Sequence, residues 1–213
     1  SLSTQCAVSP DGTITIEGLG PVNVSGMTVT KANAYLSREL QNIYQGSNVR
    51  VTVGQTKTIG VNVMGEVVAP GTYTLSAFAT AFHALYVAGG VNETGTLRDI
   101  RIYRGGKLKG SVDVYDFILH GHTGSDIRLE AGDVIYVGPY ASLVEIDGKV
   151  KRPMFYEMKS DETLATLIGF AGKFTGDAYQ KSVRVIRKSG YDYSIHTVEE
   201  FDFGAFKLMD GDS

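Results

Sequence analysis

A chain of 213 residues has room for one large domain or two to three small ones, since domains run to about 100–150 residues. With 43% hydrophobic and 20% charged residues it is neither a disordered nor a collagen-like polymer, and a net charge of −3 is too weak in either sign for a nucleic-acid binder or an anionic-membrane binder. The one cysteine, Cys6, excludes an intrachain disulfide, a cysteine-rich zinc site and a cysteine-ligated iron–sulfur cluster. The residues before it, Ser3-Thr4-Gln5, end in a bulky side chain, so Cys6 reads as an ordinary thiol rather than a lipidation site. There are 26 glycines, well above the usual share of about 7%, which implies many tight turns between short elements. The chain does not begin with Met and shows no signal peptide, as expected of a processed or excised piece. Its most apolar stretch, from Ala77 to Gly90, contains Thr80 and His83 and falls short of the roughly 20 residues that span a bilayer, so the chain reads as soluble.

In chain order, Asp11-Gly12 leads into Ile14 and Ile16, a turn followed by an alternating strand. Thr28 or Thr30 caps a helix with the stripe Ala32, Leu36, Leu40 and Ile43. Val49, Val51 and Val53 then alternate with Arg50 and Thr52 as another strand. From residue 57 onward the chain repeats itself. Gly65, Pro70, Tyr73, Ala88-Gly89 and Arg104 recur as Gly148, Pro153, Tyr156, Ala171-Gly172 and Arg187 at a constant interval of 83 residues. Leu129-Glu130-Ala131-Gly132-Asp133 recurs as Leu208-Met209-Asp210-Gly211-Asp212 at an interval of 79, so a short deletion lies between.

Each copy begins with a strand of period two (Ile59, Val61 and Val63 in the first), broken by a Gly-x-Val-x-x-Pro turn because proline removes a ladder donor. In the second copy Ser160 is read as a helix N-cap, followed by Asp161 and Glu162 and the stripe Leu164, Leu167, Ile168 and Ala171, stopped by Gly172. In the first copy the corresponding reading starts at Ser76 with the stripe Phe78, Phe82, Leu85 and Tyr86, ending at Gly89-Gly90. Strands follow at Ile100–Arg104 and Val183–Arg187, and a last strand at Val134–Val137 in the first copy only. The second copy closes at Gly211-Asp212-Ser213, where the first goes on to that strand. This order of elements is an α+β module with one helix on a mixed sheet.

Ser9-Pro10-Asp11-Gly12-Thr13-Ile14, Gly18-Leu19-Gly20-Pro21-Val22 and Gly26-Met27-Thr28 resemble the later half of the polysaccharide export sequence domain. Both copies resemble SLBB (soluble-ligand-binding β-grasp) domains, with G-x-V-x-x-P, a helix ending in A-G-G or A-G-K, an Arg-ended strand and L-x-x-G-D. The expected organisation is therefore the C-terminal half of an export domain over 1–56, a first SLBB domain over 57–139 and a second over 140–213 with its last strand truncated. The wording is nearest to the long, multi-repeat members of this family of bacterial outer-membrane polysaccharide (capsule) export proteins. The resemblance implies a non-enzymatic scaffold of a capsular or exopolysaccharide export channel, in the periplasm and attached to the outer membrane. It also implies partners: the polysaccharide, further copies of the chain in a ring, and an inner-membrane polysaccharide co-polymerase. The alternative is a module that binds a soluble sugar or other small ligand.

The candidate site residues are few. Arg104 and Arg187 end equivalent strands, and Lys151-Arg152 with Tyr156 suggest an exposed cationic and aromatic edge; these are candidates for polysaccharide or subunit contact, because arginine pairs with carboxylates. The competing reading is solvated strand ends. Gly65, Pro70, Gly148 and Pro153 are structural turn positions. His120-Gly121-His122 lacks a third ligand nearby, and Asp210-Gly211-Asp212 is a repeated turn rather than a calcium loop, so no metal is expected. Ser194-Ile195-His196 is an isolated pair without a motif around it, and no phosphate or dinucleotide fingerprint occurs, so neither catalysis nor a cofactor is expected.

Overall fold

The computed structural model describes residues 4–45, 50, 52, 54, 57–122, 124 and 126–213. The chain forms two compact units, Ser1–Lys57 and Thr58–Ser213. In the first, β1 (Thr13–Ile16) and β2 (Gly20–Asn23) form an antiparallel hairpin, entered through a turn in which Asp11 accepts hydrogen bonds from the hydroxyls of Ser9 and Thr13. Helix α1 (Val29–Ile43) is capped by Thr28, whose hydroxyl accepts from the Lys31 amide at 3.3 Å, and it buries Leu36 and Leu40. The strand expected around Val49, Val51 and Val53 lies outside the described residues.

The second unit contains both repeats. In the first repeat β3 (Thr58–Gly65), β4 (Gly71–Ser76), β5 (Gly95–Arg104), β6 (Lys107–Val112) and β7 (Val134–Pro139) form a five-stranded mixed sheet in the order β4-β3-β7-β5-β6. The last strand of the repeat is thus the central one. It runs parallel to β3 and antiparallel to β5, and its Ile135 and Val137 are completely buried. Helix α2 (Ala81–Val87) covers this face with Ala81, Ala84 and Leu85, against Val61, Val63, Ile100 and Ile102. A short helix α3 (Val114–His120), capped by Asp113, leads towards β7.

The second repeat has β8 (Leu143–Ile146) paired with β9 (Met154–Glu157), helix α4 (Leu164–Phe170), and a hairpin of β10 (Ser182–Ser189) and β11 (Asp192–Glu199). Correspondence with the first repeat is close in detail. Helices α2 and α4 begin and end 83 residues apart, and the isolated bridges Val67–Val91 and Thr80–Arg128 recur as Val150–Phe174 and Thr163–Lys207. The α+β class read from the sequence is the observed one.

Two helix readings need correction. The N-caps are Thr80 and Thr163, not Ser76 and Ser160. At each, the side chain of the third helical residue reaches back to the cap amide: Thr80 N–H donates to His83 Nδ1 at 3.3 Å, and Thr163 N–H to Thr166 Oγ1 at 3.4 Å. Ser160-Asp161 form a turn before the helix, and the Glu162 carboxylate folds back to accept from the Lys159 amide at 2.8 Å. In the first repeat the apolar stripe is Ala81, Ala84, Leu85 and Ala88; Phe78 and Tyr86 are 61% and 85% exposed. Bulk misled that reading, because small alanines let α2 lie close to the sheet while the large rings face water.

Candidate functional site

Each repeat is held at its closing turn by an arginine clip. In the first, Arg104 Nε and Nη2 donate to the two carboxylate oxygens of fully buried Asp133 at 2.9 and 2.8 Å, and Nη2 also reaches the Arg128 carbonyl at 3.1 Å. Asp133 in turn accepts from the Glu130 amide at 2.8 Å. Burial pushes the Asp133 carboxyl up, but the Arg104 fork and the Glu130 N–H outweigh it and hold it below its ordinary value of 3.8. The second repeat rebuilds the same arrangement. Arg187 donates to Asp212 at 2.9 and 2.7 Å and to the Lys207 carbonyl at 3.1 Å, and Asp212 accepts from the Met209 amide at 2.8 Å. The bidentate geometry is the one in which a guanidinium matches a carboxylate best. Both arginines named from the sequence therefore have their forks committed inside their own repeat.

The proline turns are tied in the same repeated way. Tyr73 Oη donates to the carbonyl of Ala69 at 2.5 Å and Tyr156 Oη to that of Arg152 at 2.9 Å, each the residue before the turn proline, Pro70 or Pro153. Tyr156 is buried, 3% exposed, against Tyr115 and Phe170. It does not belong to an exposed edge, because its ring completes the core of the second repeat. Arg152 is exposed but donates to the Phe170 carbonyl at 2.7 Å, and Lys151 is exposed beside it. Gly65 and Gly148 have φ of +87° and +83°. A Cβ on Gly65 would stand 2.0 Å from the Val137 carbonyl oxygen, whereas one on Gly148 would meet nothing within 4 Å.

A second cluster, not read from the sequence, joins the two repeats. Arg98, its side chain 6% exposed, donates to Asp113 at 2.9 and 3.0 Å, to Glu162 at 2.7 and 3.1 Å, and to the Glu157 carbonyl at 2.8 Å. Its guanidinium also lies 4.5 Å from the Tyr115 ring centre and 5.2 Å from that of Phe170. Burial works against the Arg98 charge, but Glu162 and Asp113 raise its proton affinity above the ordinary value. Around it, the Glu157 carboxylate accepts from Thr96 Oγ1 at 2.5 Å and from the Leu97 amide at 2.7 Å, while the Glu157 amide donates to Tyr115 Oη at 2.9 Å. Tyr115, on α3, packs into the core of the second repeat, and burial pushes its phenol up. The signal was the break in the repeat: 83 residues on, Arg98 becomes exposed Lys181, paired with Glu200.

His120 and His122 have ring centres 5.9 Å apart, and among the described residues no group of three His, Cys, Asp or Glu is placed to hold a metal. Ser194 Oγ lies 3.0 Å from His196 Nε2 on the exposed hairpin, and among the described residues no carboxylate is hydrogen-bonded to that histidine. No helix among the described residues is long and apolar enough to cross a membrane.

The polar groups of these clusters close each repeat and lock one repeat to the next. The polysaccharide biosynthesis/export protein family matches residues 1–54, and SLBB domains match residues 60–137 and 143–195. The polysialic acid transport protein KpsD of Escherichia coli is 30% identical over 186 residues, covering 86% of this chain and 33% of its own length. The EPS I polysaccharide export outer membrane protein EpsA of Ralstonia solanacearum is 29% identical over 187 residues, covering 85% of this chain and 49% of its own. The chain is thus a homologue of these polysaccharide export proteins, with a match to their export family over residues 1–54 followed by two SLBB domains. It spans a third to a half of the length of these relatives, a transport protein and an export protein by name.

Proposed function

We propose that this chain is part of a non-enzymatic scaffold for export of a capsular or exopolysaccharide, working in the periplasm against the outer membrane. The observation that carries the reading is the order of domains, an export domain followed by two SLBB domains, together with about 30% identity to two polysaccharide exporters across 86% and 85% of the chain. The partners of this reading are the polysaccharide, other copies of the protein in a closed ring, and an inner-membrane polysaccharide co-polymerase. Lys151 and Arg152 place cationic surface beside the turn before β9, where an acidic polymer or a neighbouring subunit would find it. Arg104 and Arg187 act mainly through the closing turns they hold. Removing the region encoding residues 58–213 from the full-length gene tests the scaffold: surface polysaccharide is lost while polymer accumulates inside the cell. Unchanged surface polysaccharide would discard the reading. Calorimetric titration with oligosaccharides addresses the alternative, since saturable binding of one defined sugar by the 213-residue chain would favour a ligand-binding module. A stable contact buries roughly 1,200–2,000 Å² and a ring must close head to tail; we expect the chain alone to be monomeric or at most weakly dimeric at micromolar concentration by light scattering, and the full-length protein to form the ring.

A further inference from the structure

Helix α4 and the chain on either side of it enclose a surface recess of about 370 Å³ on the second repeat, near the lower end of small-ligand sites at roughly 300–1,000 Å³. Ile168, Phe174 and Phe203 give it an apolar floor, the two rings standing 6.3 Å apart. Exposed Lys151, Lys173 and Gln180 form its rim, and among the described residues no acid lines it. Lys151 and Lys173 lie directly opposite each other beside the Val150–Phe174 bridge, the Lys151 amide donating to the Lys173 carbonyl at 3.1 Å. Like charges so placed repel. Neither ammonium has an ion pair among the described residues, and the acids of the flanking chain, Asp177 and Glu200, are held by Lys149 and Lys181.

Two further positions in the recess go against local backbone preference. Lys173 has φ of +67°, where glycine is at ease. Gly169 sits inside α4, where glycine is a poor choice, with open space where a Cβ would stand. An interval of 83 earlier, Val68 and Gly90 hold the places of the two lysines with the same backbone bond, and Phe82 and Tyr86 hold those of Ala165 and Gly169. The second repeat thus has charge where the first has none, and space where the first has rings. Unfavourable local choices that converge on one recess are the mark of a site kept for a ligand.

We infer that this recess binds an acidic sugar unit. The C–H face of the sugar ring packs on Phe174 and Phe203, its anionic group lies between the Lys151 and Lys173 ammonium groups, and the Gln180 amide bonds its hydroxyls. The inference deepens the export reading and rests on it, since an exported polymer is what would bring such units to the chain. An ammonium is a compact point charge that reads charge rather than ring stereochemistry. More than one acidic sugar is therefore accepted, as a polymer contact requires and a receptor for one defined sugar does not.

The test is titration of the 213-residue chain, followed by NMR, with a galacturonic acid tetramer, its fully methyl-esterified form and glucose phosphate. Both acids are expected to shift the Lys151, Gly169 and Lys173 amides with dissociation constants of about 1 mM, more weakly at high salt, and the ester to shift none. Silence of these amides with both acids, or equal binding of the ester, would overturn the inference. Gly169→Tyr restores the ring of the first repeat where a side chain meets nothing, so binding should weaken on the order of tenfold or more with no fall in the midpoint of thermal unfolding. Lys173→Gly removes one charge and relieves the positive φ, so weaker binding is expected in a chain at least as stable. Unchanged binding in both variants would count against the recess. Failure of these titrations in a protein whose residues 58–213 are still needed for surface polysaccharide would discard the recess and keep the scaffold.

Discussion

The two repeats of the second unit share their turns, helix and arginine clip, but only the first gathers its strands into one sheet. In the second, the hairpins β8–β9 and β10–β11 stay apart on either side of a groove, and each is antiparallel like its counterpart. Local structure in this fold is therefore set locally. The proline turn is fixed by one tyrosine hydroxyl and the helix by a threonine cap; the closing turn is fixed by an Arg–Asp pair. Joining these pieces into a continuous sheet is a separate event that depends on one central strand.

The largest expected effect comes from the cluster between the repeats, which neither repeat contains alone. Arg98→Ala leaves Asp113 and Glu162 facing each other across a poorly solvated space, and we expect a loss of about 3 kcal/mol or more in urea unfolding. It should also split the transition, if the repeats then unfold separately. A change under 1 kcal/mol, about the value of a surface pair, would show that the repeats are joined by apolar contact only. The next effect sets the repeats against each other directly. Gly65→Val meets both the positive φ and the Val137 carbonyl and should cost towards about 3 kcal/mol, whereas Gly148→Val meets only the positive φ and should cost about 1 kcal/mol. Equal costs would remove the difference in sheet closure as the cause.

A smaller effect depends on pH. The Asp133 carboxyl is held below its ordinary value of 3.8, so the folded state binds its proton less readily than the unfolded chain. Its contribution to stability is full above that ordinary value and is lost as pH falls through the lowered one. Asp133→Asn should thus be clearly less stable than the parent at pH 7, and the gap should narrow as the pH is lowered towards 3; a constant gap would assign the cost to packing. The smallest effect is at Lys173, the one non-glycine at positive φ among the described residues, where the first repeat has Gly90. Lys173→Gly relieves that strain and should stabilise by no more than about 1 kcal/mol, measured as a small rise in unfolding midpoint.

The repeat made most of the second unit legible. A fixed interval carried the strands, turns and helix stops from one copy to the other, and the same interval applied to Leu164, Leu167, Ile168 and Ala171 points to Ala81, Ala84, Leu85 and Ala88. Reading Phe78 and Tyr86 as core followed hydrophobicity where spacing was the better guide, because close helix–sheet approach selects small side chains. Tyr156 was misplaced for a related reason: a tyrosine can bury its ring when its hydroxyl finds a carbonyl, and basic neighbours in sequence say little about that. The Arg98 cluster was hidden because its members come from four separate segments, and each looks like an ordinary surface charge or aromatic until the chain folds.

The position of β7 has a consequence for how the protein is made. A strand that is last in the repeat and central in its sheet reaches the folding chain after all its neighbours; Asn62 waits for Val134. Chain emerges during synthesis at about 5–20 residues per second, so β3, β4 and α2 are exposed for seconds with their apolar faces unsealed, and long-range parallel pairing is slow in itself. The first repeat then closes in one late step as its final strand arrives. During that interval the unsealed hairpin edges are the part of the nascent chain that a holding chaperone would need to cover.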